Sequence, residues 1–327
     1  MKRTFLFICA AALLAVGCQS KPPEKTATPA PDNAKPLVVC TTTMIADLAR
    51  ELAGNDAQVV GIMKPGTDPH IYEPRPDDGI LFRKADLVLV NGLHLEGKMI
   101  DMIENAGNKA VELARDERIK IRGKAAAPDP HVWWNASYFA IFTEKARDAL
   151  VPLVPGREDA VRERAARYIE TLTTLHDEAK TAIAQIPEEQ RVMVTSHDAF
   201  YYFGDAYGIA VDAVLGISTD AQARAAEPIR LAELVAARRI RAVFHETSVS
   251  QAQNDLVDSI KRLTEEKYRH DVAIAGPLYS DSIGLPGTPA DSYVGAFKEN
   301  VRLVVEALSG KDAPDFFKPA EGDADGR

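Results

Sequence analysis

The chain of 327 residues predicts an α/β fold of two similar lobes with mostly parallel sheets, bridged by one long rigid helix. Three observations predict it. Short apolar runs alternate with helical periodicities in residues 37–155, and the same alternation returns in residues 188–309. Between them, Glu158 to Ile186 contains neither Pro nor Gly, and one apolar stripe runs its length.

In the first half, Leu37 to Cys40 is a strand followed by three threonines, and Ile45 to Leu52 has helical spacing. Val59 to Met63 repeats the strand signal, and Asp86 to Val90 reads as a buried strand. Lys98 to Ala106 adds a helix and Lys109 to Leu113 another strand. Asn135 to Leu150 is helical until Pro152 and the Pro155-Gly156 pair interrupt it. In the bridging segment 156–187, Val161, Ala165, Tyr168, Ile169, Leu172, Leu175, Ala179 and Ile183 recur at helical spacing. The second half has strand candidates at Arg191 to Thr195, Tyr207 to Leu215, Ile240 to Phe244 and Val272 to Ala275. Its helices are expected at Glu227 to Ala237, Gln253 to Glu266 and Ala290 to Leu308.

The ends read differently. Lys2 and Arg3 precede an apolar run, Phe5 to Val16, that is short for a membrane span and reads as an export signal over residues 1–17. Small residues before Cys18 resemble the lipobox of bacterial lipoproteins, which implies a lipid on the Cys18 thiol and a membrane anchor. Residues 18–36 carry Pro22, Pro23, Pro29, Pro31 and Pro36 and read as a disordered tether, and residues 310–327 as a flexible acidic tail. Loss of Cys9 with the signal and acylation of Cys18 leave only Cys40, so an intramolecular disulfide is excluded. The same cleavage removes two of 39 basic residues and none of the 48 acidic ones, leaving a formal charge of −11. That balance disfavours nucleic acid and suits a cation.

Of seven histidines, three lie beside turn formers or at a strand end. His70 lies in GTDPHIYEP, His131 in DPHVWW, and His197 closes the strand that begins at Val192; Asp281 follows a strand candidate in GPLYSDSIG. They form no HExxH pair, so only the tertiary fold could bring them to one metal ion. Imidazole nitrogen suits zinc and the later first-row metals, and a carboxylate also accepts manganese or iron. By spacing alone, separately satisfied cleft histidines explain them as well.

The chain resembles the metal-binding family of ABC-transporter solute-binding lipoproteins, the zinc, manganese and iron cluster, over residues 37–308. The resemblance rests on the His70, His131 and His197 motifs, ISTDAQ after Gly216, FHETSVS around Glu246, and the run from Gly276 to Val301. It implies a metal site at the lobe interface with His70, His131, His197 and Asp281 as ligands. It also implies an extracytoplasmic, lipid-anchored monomer that hands its ion to an ABC permease with a cytoplasmic ATPase. The cargo is Mn(II) by a small margin over Zn(II), with Fe(II) third, and no catalytic cofactor is expected. Wording such as PHIYEP looks like the manganese and iron branch, and a third imidazole at His197 pulls toward zinc. The segment from Asp116 to Asp129 lacks the histidine-rich loop common in zinc-specialised members.

Glu246 is the candidate for a carboxylate supporting a ligand imidazole, with His245 beside it. His94 is a weaker candidate ligand, and His176 and His270 are expected to face solvent. Two other classes compete. A metallohydrolase would need an open metal position, which four protein ligands leave little room for. A surface adhesin would need a repeat or exposed patch that the sequence does not offer.

Overall fold

The computed structural model describes residues 35–124 and 127–318. The expected signal segment 1–17, Cys18, the tether as far as residue 34 and the end of the tail lie outside the described residues.

In the N-terminal lobe β1 (Leu37–Cys40), β2 (Gln58–Gly61), β3 (Leu87–Val90) and β4 (Ala110–Glu112) form a parallel sheet in the order β2-β1-β3-β4. Val39 is paired with Val60 on one side and Val88 on the other. All four residues of β3 are buried, as an interior parallel strand requires. Helix α1 (Thr43–Ala53) starts where the Thr42 hydroxyl accepts from Ile45 N, and it buries Met44, Ile45, Leu48 and Leu52. A smaller cluster containing Val39, Ile62, Phe82, Val88 and Met99 covers the other face of the sheet.

Helix α2 (Pro76–Lys84) stands where residue spacing carries no helical signal. Proline fits its first turn, and Asp78 Oδ2 accepts from Arg75 N at 2.7 Å. Only Asp78 and Phe82 are buried, so no apolar period marks it. After α3 (Ile100–Ala106), helix α4 (Ala136–Leu150) leads to α5 (Glu158–Ile183), whose 26 residues span roughly 40 Å. The stripe of α5 is buried from Val161 to Ile183 except at Ile169, which is half-buried. Arg164 on α5 donates to the carbonyls of Leu52 (2.6 Å) and Ala53 (3.0 Å), closing the end of α1.

The C-terminal lobe pairs β5 (Val192–Thr195) with β6 (Ala210–Ala213), and β7 (Ala242–Glu246) with β8 (Ala273–Leu278), both in parallel, with β5 lying beside β7. Helix α6 (Tyr201–Tyr207) occupies the aromatic run before β6 and ends at Gly208 in the left-handed conformation. Its tyrosines and phenylalanine favour strands on propensity, and burial of Tyr202, Phe203 and Tyr207 overrides that preference. The expected strand from Tyr207 is therefore only Ala210–Ala213. Helices α7 (Glu227–Arg238) and α8 (Gln251–Tyr268) pack on each other, and α8 opens with a Ser250–Gln253 capping box.

Helix α5 packs against α1 and α4 on one side and α6 and α9 (Tyr293–Ser309) on the other. One cluster of buried apolar side chains extends from Val38 through α5 to Leu308, so the lobes share a core. Beyond α9, Ala313 and Phe317 are buried and Lys298 lies over the Phe316 ring. The chain after residue 310, expected to be loose, is thus packed as far as Phe317, because its aromatic pair finds a seat that composition does not reveal.

Leu172→Ala, which empties a fully buried position of α5, should cost about 2–5 kcal/mol in denaturant unfolding, whereas Thr174→Ala on the exposed face should stay within about 0.5 kcal/mol.

Candidate metal centre

Each of the four side chains singled out in the sequence lies just beyond an element that fixes it. His70 is in the loop between β2 and α2, where Asp68 Oδ1 accepts from its backbone N at 2.9 Å. His131 precedes the single turn Val132–Trp134 that leads into α4. His197 follows β5, and its backbone N donates to Glu246 Oε1 at 2.8 Å. Asp281 follows β8, and its backbone N donates to the Ser248 hydroxyl at 2.9 Å.

The fold brings one donor atom from each to within 4.8 Å of all the others. His70 Nε2 is 3.1 Å from His131 Nε2, and His197 Nε2 is 3.1 Å from Asp281 Oδ2. Asp281 Oδ1 lies 3.6 Å from His131 Nε2, so its two oxygens face different imidazoles. The side chains of His131, His197 and Asp281 are fully buried, and His70 is 5% exposed at the edge. His197 Nε2 and both Asp281 oxygens are buried without an aligned hydrogen-bond partner. Unpaired buried polar atoms are costly, and a divalent cation among these donors would satisfy them together.

Two imidazoles have a carboxylate behind them. Asp129 Oδ1 is 2.8 Å from His131 Nδ1 and also accepts from His131 N at 3.1 Å. Glu246 Oε2 lies 2.5 Å from His197 Nδ1, in ion-pair contact but off the line of a hydrogen bond. Both arrangements turn Nε2 toward the shared centre, as carboxylate-supported metal histidines do. Asp68 differs: its Oδ2 accepts from the Thr219 hydroxyl of the C-terminal lobe at 2.6 Å. More bonds cross the seam to place Asp281. Trp133 and Trp134 both donate their indole N–H to Ser280 O, at 3.1 and 2.7 Å, and the Tyr293 hydroxyl donates to Trp133 O at 2.6 Å.

The charges are unequal. Burial holds His70 neutral, its pKa lowered to about 3. Burial also works against a proton on His197, but the carboxylates of Glu246 and Asp281 prevail and raise its pKa well above the ordinary value. For Asp281 burial opposes ionisation, and the surrounding imidazoles, His197 first, prevail and keep it far below the usual carboxylate range.

The other histidines stand apart from this cluster. His94 is exposed. His245 points to the opposite face of β7 from Glu246, where it meets Asp258 at 2.9 Å. Against the expectation of solvent-facing rings, His176 is half-buried with Nδ1 3.1 Å from the Tyr207 hydroxyl, and His270 Nε2 donates to Ile240 O at 2.8 Å. Sequence reading missed Asp129 and Asp68, although the tripeptide Asp-Pro-His occurs twice and marked both.

Comparison with known proteins gives the geometry a context. The family model described as "Zinc-uptake complex component A periplasmic" matches residues 38–307. The chain is 37% identical over 276 residues to the manganese-binding lipoprotein MntA of Bacillus subtilis, covering 83% of this chain and 89% of that protein. It is 34% identical over 279 residues to the zinc-binding protein TroA of Treponema pallidum, covering 84% and 89%. The solved structure of the periplasmic zinc-binding protein TroA superposes with a TM-score of 0.78, covering 84% of this chain and 100% of that one.

Because Glu246 and Asp281 favour a proton on His197, metal binding at neutral pH should release protons and weaken as the pH falls. Calorimetry in buffers of different ionisation enthalpy measures that release, and Glu246→Gln should reduce it; release unchanged in this variant would contradict the assigned cause.

Proposed function

The chain belongs to the metal-binding family of ABC-transporter solute-binding lipoproteins, and from that premise we propose that His70, His131, His197 and Asp281 hold its cargo, one divalent transition-metal ion, manganese ahead of zinc. The protein is the extracytoplasmic solute-binding component of an ABC metal importer, a binding protein and not an enzyme.

The observation that carries the metal assignment is the pair of unpartnered Asp281 oxygens facing the imidazoles. Three nitrogens and two carboxylate oxygens offer more donors than the four of a tetrahedral zinc site, and carboxylate oxygen is a ligand that manganese accepts readily. The name of MntA, for a relative that covers most of this chain, supports the same choice. Zinc is the second reading: three imidazoles favour it, it binds a given site more tightly than manganese, and TroA is named for it. Fe(II) stands third with the same donors.

The ligands come from both lobes, so capture and release both depend on the seam between them. A nanomolar site holds its ion by about 12 kcal/mol. Release to an ABC permease, driven by its cytoplasmic ATPase, therefore has to displace the ligands of at least one lobe, with docking coupled to opening. The shared core and the α5 spine suit a small displacement at the seam rather than a wide swing of the lobes. A lipid on Cys18 would keep a single copy of the protein close to that permease.

Metal competition tests the reading. The stripped protein should load one Mn(II) reversibly from buffered solutions, and bind Zn(II) more tightly with slower release. Asp281→Asn should lower affinity for both by roughly a hundredfold or more, beyond what losing a supporting partner costs. Tight, reversible zinc loading with weak manganese binding would move the function to zinc uptake, and failure to bind either metal at neutral pH would overturn the ligand assignment.

A further inference from the structure

The seam carries one feature that neither the donor set nor the fold requires. Arg122, from the N-terminal lobe, places Nη1 2.8 Å from Asp198 Oδ2 in the C-terminal lobe and 3.3 Å from Asp129 Oδ2 in its own. Asp129 is the carboxylate at His131 Nδ1, and Asp198 directly follows His197. One guanidinium thus joins the segments that carry an imidazole of each lobe.

The surroundings fix this cation from three sides. Its carbon sits 4.1 Å from the Tyr201 ring centroid, over the first residue of α6. Its backbone N donates to the Tyr202 hydroxyl at 2.8 Å, and that hydroxyl donates to Asp129 O at 3.1 Å. Asp129 N in turn donates to Arg122 O at 2.9 Å. The Asp129 side chain is fully buried and that of Asp198 is 19% exposed, so without the cation two carboxylates would face each other across the seam in a poorly solvated space. Arg122 itself is 35% exposed and borders a cavity of about 400 Å³ that is also lined by Asp198, Leu215 and Arg224.

We propose that Arg122 is an interlobe latch, a positioning residue that holds Asp129 against His131 and draws Asp198 across the seam, and thereby sets the rate at which bound metal leaves. This rests on the reading that the His70, His131, His197 and Asp281 cluster binds a divalent ion. The latch touches none of the ligating atoms. It acts through two carboxylates whose repulsion favours separation of the lobes once the cation is gone. Arrival of the ion needs no latch, so the effect belongs to dissociation more than to association.

The test uses the full chain loaded with Mn(II) and chased with excess chelator in a stopped-flow instrument, with thermal melting followed in parallel. R122Q should release manganese about tenfold faster or more, with an association rate close to that of the parent. Adding D198N to R122Q removes the repulsion and should recover much of the lost retention, and R122K, which keeps the charge without the fork, should fall between parent and R122Q. A dissociation rate for R122Q within about twofold of the parent overturns the latch. So does a faster rate that D198N does not relieve, since loss of packing or of fold would affect the single and double variants alike. A parent protein that does not retain manganese at all would instead overturn the metal reading, and the latch with it.

Discussion

The structure turns on a buried carboxylate. Asp281 is ionised in a fully buried place, neither of its oxygens has a hydrogen bond, and the groups around it are three imidazoles from segments distant in sequence. A charge in that position is tolerable only if neighbours supply positive potential. His197 is the neighbour poised to do so, because Asp281 and Glu246 raise its pKa above the ordinary value. A divalent ion would do so more completely. The tryptophan bonds to Ser280 O and the serine hydroxyl under Asp281 N keep the carboxylate in position for either.

That arrangement explains why the site belongs to both lobes and why the lobes are not free bodies. His70 and His131 stand on one side of the seam, His197 and Asp281 on the other, and apolar packing around α5 continues beneath them. Large rearrangement would expose that shared core, whereas a small shift at the seam would part the donors without doing so. The hydrogen bond between Asp68 and Thr219 and the Arg122–Asp198 pair are polar closures of the seam near the metal centre, beside the tryptophan bonds to Ser280 O. They lie within loops, so they can part while the spine remains intact.

The fold was largely legible because its strongest signals are periodic. The stripe of α5 and the buried run of β3 are written in residue spacing alone, and both stand in the structure with ends shifted by a few residues. Helices α2 and α6 were not legible. The first buries too little to show a period, and the second is composed of residues that favour strands on propensity. The candidate ligands could be picked out because turn formers and strand ends set them apart, but their convergence depends on contacts between segments as far apart as His70 and Asp281. Glu246 was open to inference because it closes a strand beside the cleft. Arg122 was not, since its partner Asp198 is separated from it by the whole of α4 and α5.

The most direct measurement is anomalous diffraction at the manganese edge from crystals of the Mn(II)-loaded protein. A single strong peak is predicted at the seam, among the three Nε2 atoms and the carboxylate of Asp281. A peak held by other residues, or a manganese ion bound to one lobe alone, would contradict the interlobe site.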